Sequence, residues 1–189
     1  GVAKLYAYWI VKNYREAYGL FACNGILFNH GGVRRGHNFV ERKITLGLGK
    51  ILRGESDRLT MGNLDSLRDI GNSKDYVEGM WMMLQHDKPD DYVLSTGIQY
   101  SVRDFIEKSL KWYSVDYRYE GEGSNEKIID NRTNNVIIEV NKQFYRPAEV
   151  ETLLGDSTKA RTVLNWSPEY DITSLVNEMC ESDFNKEDT

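Results

Sequence analysis

Short apolar runs alternate with longer amphipathic segments along this chain, and this alternation limits the folds that it can adopt. Apolar runs are typical of buried strands, whereas apolar residues that recur every three or four positions are typical of helices. We predict strands at residues 20–28, 59–62, 91–95, 115–119 and 136–140. We predict helices at residues 4–18, 38–52 and 173–180, and three more that begin at Ser73, Ser101 and Asp156. This order predicts an α/β fold with a mostly parallel sheet.

Two of the predicted helices carry apolar residues in patterns that indicate burial. Residues 5–11 are apolar or aromatic without a break. Such a helix is buried in a core or shared with a partner, so this one suggests an oligomer interface. In the third helix, we expect the face with Val77, Met80, Trp81 and Leu84 to fill the core.

Two segments are predicted to lie outside the core. Residues 121–135 are rich in glycine, asparagine and charge, which is typical of a loop. Residues 181–189 are largely polar and acidic, and we expect a frayed tail there.

Charge, cysteine content and hydropathy exclude several classes of protein. The net charge of −5 argues against nucleic-acid binding, which depends on a basic surface. Cys23 and Cys180 are too few and too far apart for a disulfide framework or a zinc site. No run reaches the roughly 18 apolar residues that a membrane span needs, and no signal peptide is recognised. We therefore expect a cytoplasmic protein without a metal site.

Polar clusters follow two of the apolar runs. Asn29 and His30 stand directly after one run and precede Arg34 and Arg35, and a second cluster occupies residues 146–150. In open α/β sheets, ligands bind beyond the carboxyl ends of the strands. Because the guanidinium group matches phosphate oxygens in two places at once, these clusters predict a small anionic ligand.

One expected motif of a nucleotide-binding α/β enzyme is not found. Such enzymes carry a strand, a glycine-rich turn and a helix whose N-terminus holds phosphate. The glycines at 47 and 49 lie within a helical pattern rather than after a strand, so they do not form that motif.

Seven runs of the chain match, in the same order, runs that are typical of one enzyme family. They are AKLYAYW (3–9), ILFNH (26–30), RRG with FV-x-RK (34–43), GNLDSLRD (62–69), KDYV (74–77), TG-x-QYSVR (96–103) and RPAEVETLLGD (146–156). Through these runs the chain resembles the GDP-mannose 4,6-dehydratases, which are extended short-chain dehydrogenases/reductases. The resemblance extends from residue 1 to about residue 179 and weakens across residues 126–135.

The resemblance implies both a fold and a division of the chain. The fold is the C-terminal portion of a Rossmann-like doubly wound sheet together with a small α/β substrate-binding lobe. Residues 1–100 would form the C-terminal part of the NADP-binding domain, interleaved with substrate-binding segments. Residues 101–189 would form mainly the nucleotide-sugar-binding lobe.

The resemblance also implies an activity. It is a lyase reaction that converts GDP-mannose into GDP-4-keto-6-deoxymannose, the product that feeds GDP-fucose synthesis. Hydride leaves C4 of the hexose for NADP, water is eliminated across C5 and C6, and the hydride returns to C6. The ketone at C4 stabilises the carbanion that elimination requires, and the cofactor makes that ketone temporarily.

By the same resemblance, Lys4 matches the lysine of a catalytic Tyr-x-x-x-Lys pair, which would place the tyrosine one residue before Gly1. The glycine-rich turn and the remaining catalytic residues would lie further upstream. We therefore expect the chain to correspond to the C-terminal half of the enzyme and to be inactive by itself.

The resemblance assigns further residues to ligands. Lys4, His30 and Arg35 match positions that contact NADP. The substrate-binding positions are Asn29, Lys43, Arg68, Arg146 and Glu149. Where the family usually has Glu-Ser-Pro before the arginines, this chain has Gly-Gly-Val at 31–33, which makes that loop more flexible.

Two alternatives stay open at this level. The chain could belong to another nucleotide-sugar dehydratase or epimerase of the same superfamily. It could also be a non-catalytic fragment that retains only nucleotide-sugar binding or subunit association. We expect GDP-mannose as the ligand, and a homo-oligomer, dimer or tetramer, for the complete protein.

Overall fold

A computed structural model of the chain describes residues 1–145 and 150–185. Its helices are α1 (Val2–Tyr18), α2 (Val40–Leu52), α3 (Ser73–Gln85), α4 (Val102–Trp112), α5 (Thr158–Val163) and α6 (Ile172–Phe184). Its strands are β1 (Asn24–Leu27), β2 (Asn29–Gly31), β3 (Leu59–Met61), β4 (Leu67–Asn72), β5 (Asp91–Leu94), β6 (Gln99–Ser101), β7 (Tyr117–Glu120), β8 (Lys127–Asp130), β9 (Val136–Val140) and β10 (Thr152–Leu153).

Within the described residues, the strands form three small sheets. β1 pairs in parallel with β5, and β4 lies between β2 and β10, parallel to both. β6 adds to β4 in the antiparallel direction. In the third sheet β3 is parallel to β9, and β9, β8 and β7 follow as an antiparallel meander. The α/β class is as predicted, and so is the parallel pairing of β1 with β5 and of β4 with β2 and β10.

The apolar core has two parts. The larger part lies between α2, α4 and α6 and the third sheet, with Ile44, Ile106, Ile138 and Val176 among its buried members. The smaller part packs α3 and α5 around β5 and contains the fully buried Leu94. The capping box that Ser101 and Asp104 form at the start of α4 confirms the predicted beginning of that helix.

The prediction of a loop across residues 121–135 is wrong in part. β8 occupies the middle of this stretch, and Ile128 is fully buried in the core. Glycine and charged residues flank this strand on both sides. In addition, four residues are too few to show a clear alternation of apolar and polar side chains, so the strand was not predicted.

The predicted core face of α3 is also wrong. Trp81 is 61% exposed, and Val77, Met80 and Leu84 are exposed as well. The opposite face, with Tyr76 and Met83, is the one that packs into the core. Asn72 rather than Ser73 caps the helix, since its side chain accepts a hydrogen bond from Lys74 N.

The C-terminal segment is more ordered than predicted. α6 continues through Phe184, and Asp183 is fully buried within it. Its carboxylate pairs with the buried Arg42 of α2, which explains why an acidic stretch continues the helix. Residues 186–189 of the expected tail lie outside the described residues.

α1 carries Lys4 and is attached to the first sheet by polar contacts. None of its residues is buried, and the oligomer interface predicted at residues 5–11 stays a prediction. Arg15 forms two hydrogen bonds to Asp91, of 2.8 and 3.1 Å, and Tyr8 donates a third. Gly19, with φ of 65°, ends the helix in the left-handed conformation, a common role of glycine, at the end of the helix predicted over residues 4–18.

We expect Asp91 to make stability depend on pH. Burial acts to raise the pKa of Asp91, but hydrogen bonds from Arg15, Asn24 and Tyr8 outweigh it and hold the pKa at about 2. Because the folded-state pKa is depressed, this stabilisation is present above pH 4 and is lost as the pH falls through about 2. Asp91→Asn should therefore lower the free energy of unfolding at pH 7 by about 2 kcal/mol.

Urea unfolding at pH 7 and at pH 2 to 3 measures this effect, and Asp87→Asn, at an exposed position, is the control. The difference between Asp91→Asn and the wild type should shrink as the pH falls. An equal difference at both pH values would show that the carboxylate charge does not contribute.

Candidate functional site

A cavity of about 400 Å³ opens between the N-terminal end of α2, β4 and the beginning of α4. Asn29, Arg35 and Arg68 line it, although they come from three separate segments of the chain. Asn38 and Asn63 add further polar groups to its wall. The floor is apolar and is formed by Ile44, Met61, Ile70, Tyr100, Val102, Phe105 and Phe144.

The N-terminus of α2 borders this cavity without a capping side chain. Phe39 is the N-cap residue in an extended conformation, and no side chain among the described residues caps the helix. Val40 and Glu41, in the first turn, line the cavity. Free N–H groups and the positive end of the helix dipole favour an anion at such a position.

Arg35 projects into the cavity from the loop between β2 and α2. Its guanidinium lies 3.7 Å from the centre of the Phe39 ring, and its Nε is 3.8 Å from Glu41 Oε2. This separation is too long for a hydrogen bond. Both atoms are buried and have no hydrogen-bond partner among the described residues, and both residues line the cavity.

Arg68 is held on β4, in the middle of the second sheet. Its Nη1 donates to the Leu67 carbonyl at 2.8 Å. The next residue, Asp69, is fully buried and accepts hydrogen bonds from Thr96, Gly97 and Gly155. These bonds fix the strand at the position where Arg68 lines the cavity.

Lys43 lies next to the cavity rather than in its lining. Its Nζ donates to the Thr60 carbonyl at 2.6 Å and lies 4.8 Å from the centre of the Phe144 ring, which does line the cavity. Burial lowers the pKa of the Lys43 ammonium.

The remaining predicted residues are placed elsewhere. His30 stacks on Tyr76, with ring centres 4.6 Å apart, and its Nδ1 is 2.7 Å from the Phe28 carbonyl oxygen. Lys4 is exposed on α1. Neither residue lines the cavity. Arg146 and Glu149 lie outside the described residues.

Glu41 is a candidate that the sequence reasoning missed. It is only 2% exposed. A glutamate in the first turn of a helix is ordinarily expected to be solvated and to interact favourably with the helix dipole. The sequence did offer one sign of its burial, since Glu41 lies one turn before Ile44 on the apolar side of α2.

The part of the chain that the structure describes shows neither a group of metal ligands nor a membrane-spanning helix. In residues 1–145 and 150–185, no three histidine, cysteine, aspartate or glutamate side chains are grouped as metal ligands. No helix in these ranges is long and apolar enough to cross a membrane.

Comparison with known proteins decides the family. The family model described as GDP-mannose 4,6 dehydratase matches residues 1–179. This chain belongs to the GDP-mannose 4,6-dehydratase family. A GDP-mannose 4,6-dehydratase from Vibrio cholerae is 52% identical over 96% of the chain and 52% of its own length. The human GDP-mannose 4,6 dehydratase is 51% identical over 97% of the chain and 49% of its own length. The chain thus spans about half the length of these curated relatives.

Solved structures show that the fold is that of the extended short-chain dehydrogenases/reductases. RMD from Pseudomonas aeruginosa, complexed with NADPH, superimposes with a TM-score of 0.80 over 98% of the chain and 55% of that protein, at 18% identity. UDP-glucose 4-epimerase from Thermotoga maritima gives 0.72 over 96% of the chain and 52% of that protein, at 19% identity. These similarities confirm the Rossmann-like α/β class expected for this family member.

Proposed function

We propose that this chain is the nucleotide-sugar-binding half of a GDP-mannose 4,6-dehydratase. The observation that carries the proposal is the cavity in which Asn29, Arg35 and Arg68 meet the uncapped N-terminus of α2. Two guanidinium groups, an amide and free helix N–H groups form a site suited to a diphosphate. Membership of the family supports GDP-mannose as the nucleotide sugar.

Within this site we assign separate tasks to the residues. Arg68 and the N-terminus of α2 bind the diphosphate, while Asn29 and Lys43 contact the groups next to it. Arg146 and Glu149, for which the resemblance is the only support, complete the diphosphate and ribose contacts. Glu41 accepts a hydrogen bond from a ligand hydroxyl beside Arg35, because its buried Oε2 needs a donor.

We propose NADP as the cofactor, with Lys4, His30 and Arg35 as the residues of this chain that would hold it, so that Arg35 would contact both NADP and the nucleotide sugar. The buried Nε of Arg35, which has no hydrogen-bond partner among the described residues, fits a phosphate or hydroxyl group of such a dinucleotide. Bound NADP supplies a hydride acceptor and donor. Lys4 contributes a positive charge that lowers the pKa of a catalytic tyrosine one helical turn before it.

The exposed apolar side chains of α1 support a homo-oligomer. Leu5, Tyr6 and Trp9 are all more than half exposed. Large exposed apolar surfaces of this kind mark interaction sites. We also propose a cytoplasmic location, which the two free cysteines support because thiols persist in reducing compartments.

The function is tested in a fusion protein, called the hybrid below. It consists of the part of the Vibrio cholerae relative that this chain does not match, followed by residues 1–189 of this chain. The hybrid should convert GDP-mannose into its 4-keto-6-deoxy product. A substrate panel with UDP- and dTDP-hexoses separates this function from that of another nucleotide-sugar dehydratase or epimerase. Preference for a sugar other than GDP-mannose would contradict the proposal.

In the hybrid, Arg68→Ala and Arg146→Ala should each weaken GDP-mannose binding. The loss of one charged hydrogen bond costs about 1.5 to 3 kcal/mol, or roughly 10- to 150-fold in affinity. NADP affinity should change little. Calorimetric titration measures both ligands, and Arg118→Ala, which removes an arginine that pairs with Glu120 away from the cavity, is the control. Unchanged GDP-mannose affinity in either variant would make the assignment of that arginine wrong.

A further inference from the structure

A buried ion pair ties the last turn of α6 to the segment that presents Arg35. The side chains of Arg42, on α2, and Asp183, on α6, are 1% and 0% exposed, and Arg42 Nη2 lies 2.5 Å from Asp183 Oδ1. Arg42 Nη1 donates a hydrogen bond to the Val33 carbonyl. One guanidinium therefore links α6 to the backbone immediately before Arg34 and Arg35.

The backbone of residues 32–36 has few other hydrogen bonds, although the Arg35 side chain packs on Phe39. Gly32 and Gly36 at its two ends give the backbone large conformational freedom. Arg35 N donates to Gly32 O at 2.9 Å, and Phe39 N donates to Gly36 O at 3.1 Å. Within residues 1–145 and 150–185, the bond from Arg42 to Val33 is the side-chain hydrogen bond that holds this backbone.

Asp183 determines where the Arg42 guanidinium lies. A buried cation is unfavourable unless a counter-charge and hydrogen bonds accompany it. Asp183 supplies the counter-charge through Oδ1, and its other carboxylate oxygen, Oδ2, accepts a hydrogen bond from Thr45 Oγ1 at 2.6 Å. Arg53 Nη1 donates to the Asp183 carbonyl at 3.2 Å and so fixes the end of α6. Without Asp183, the guanidinium would move towards solvent and release Val33.

We propose that Arg42 and Asp183 are positioning residues, which hold residues 32–36 so that Arg35 faces the cavity. Asp183 lies beyond residue 179, where the match to the family model ends. The ligand-binding part of this inference rests on the proposed function. Its conformational part, the restraint of residues 32–36, depends on no ligand.

Hydrogen–deuterium exchange of the 189-residue chain, repeated in the hybrid, tests the conformational part. Arg42→Lys keeps a positive charge beside Asp183, but one ammonium nitrogen cannot replace two guanidinium nitrogens. We expect exchange across residues 32–39 to rise about tenfold or more in Arg42→Lys and in Asp183→Ala. Exchange across residues 127–140, in β8 and β9, should change less than about twofold.

Thr45→Val is the matched control, since it removes the hydrogen bond from Thr45 Oγ1 to Asp183 Oδ2 and leaves in place both Arg42 and the Asp183 Oδ1 with which it pairs. It should leave the exchange of residues 32–39 within about twofold of the wild type. An equal rise in Thr45→Val, a parallel rise in every segment, or no rise in Arg42→Lys would overturn the inference.

Titration of the hybrid with GDP-mannose tests the ligand-binding part. Affinity should fall about tenfold in Arg42→Lys and stay within about twofold in Thr45→Val. Faster exchange in Arg42→Lys with unchanged affinity would overturn the link to the ligand. If the wild-type hybrid does not bind GDP-mannose, the proposed function fails, whereas the exchange data still decide whether the pair restrains residues 32–36.

Discussion

Assayed by itself with GDP-mannose and NADP, the 189-residue chain should form no detectable 4-keto-6-deoxy product. The chain contains Lys4 but no tyrosine four residues before it, and no glycine-rich strand–turn–helix motif for a dinucleotide. General acid–base catalysis alone contributes roughly 10²- to 10⁴-fold, and the loss of an oriented cofactor adds to this. The expected loss of rate therefore spans many powers of ten.

Product formation is measured by chromatography of the reaction with chain purified from a host that lacks the enzyme. The hybrid, prepared in the same way, is the positive control and should form product. Turnover by the 189-residue chain would contradict this prediction and would require a base among the residues of this chain.

In the hybrid, Lys4→Met should lower kcat by roughly 10²- to 10⁴-fold. Methionine has a similar length but no charge, so the pKa of the partner tyrosine would rise and less of the base would be available at neutral pH. Because Lys4 is exposed on α1 and does not line the cavity, GDP-mannose affinity should be nearly unchanged.

Steady-state kinetics over a range of pH measure this effect, and the loss of kcat should diminish as the pH rises. Lys12→Met, two turns further along α1, is the control, since Lys12 pairs with Glu16 on the surface. A Lys4→Met variant with normal kcat at neutral pH would contradict the assignment of Lys4.

The polar residues of β4 show why part of the fold could not be predicted. Arg68, Asp69 and Asn72 interrupt the apolar pattern of this strand, and two of them are buried. The hydrogen-bond partners of Asp69 are distant in sequence, since it accepts from Thr96 and Gly155. A buried polar residue that is satisfied by distant partners leaves no local signal, so neither β4 nor β6 was predicted.

α3 shows a different limit. Its helical period was evident, but the helix has apolar residues on two faces. Trp81 lies on the exposed face, and Tyr76 and Met83 lie on the face that packs against Trp166 and Leu94. Periodicity identifies a helix, whereas the choice between two apolar faces depends on the neighbouring elements.

The candidate site was predicted largely through resemblance to the family. The resemblance assigned Asn29 and Arg68 to the nucleotide sugar and Arg35 to NADP, and the structure places all three in the lining of a single cavity. Their roles stay predictions. Glu41 and Asp183 were missed because, without the fold, an acidic residue on a helix resembles a solvated surface charge.

A crystal structure of the hybrid with GDP-mannose tests the central claim most directly. We expect density for the diphosphate between the Arg68 guanidinium and the N-terminus of α2, with Asn29 within hydrogen-bonding distance of the ligand. A diphosphate bound at another surface, with the cavity of about 400 Å³ filled only by solvent, would contradict the account.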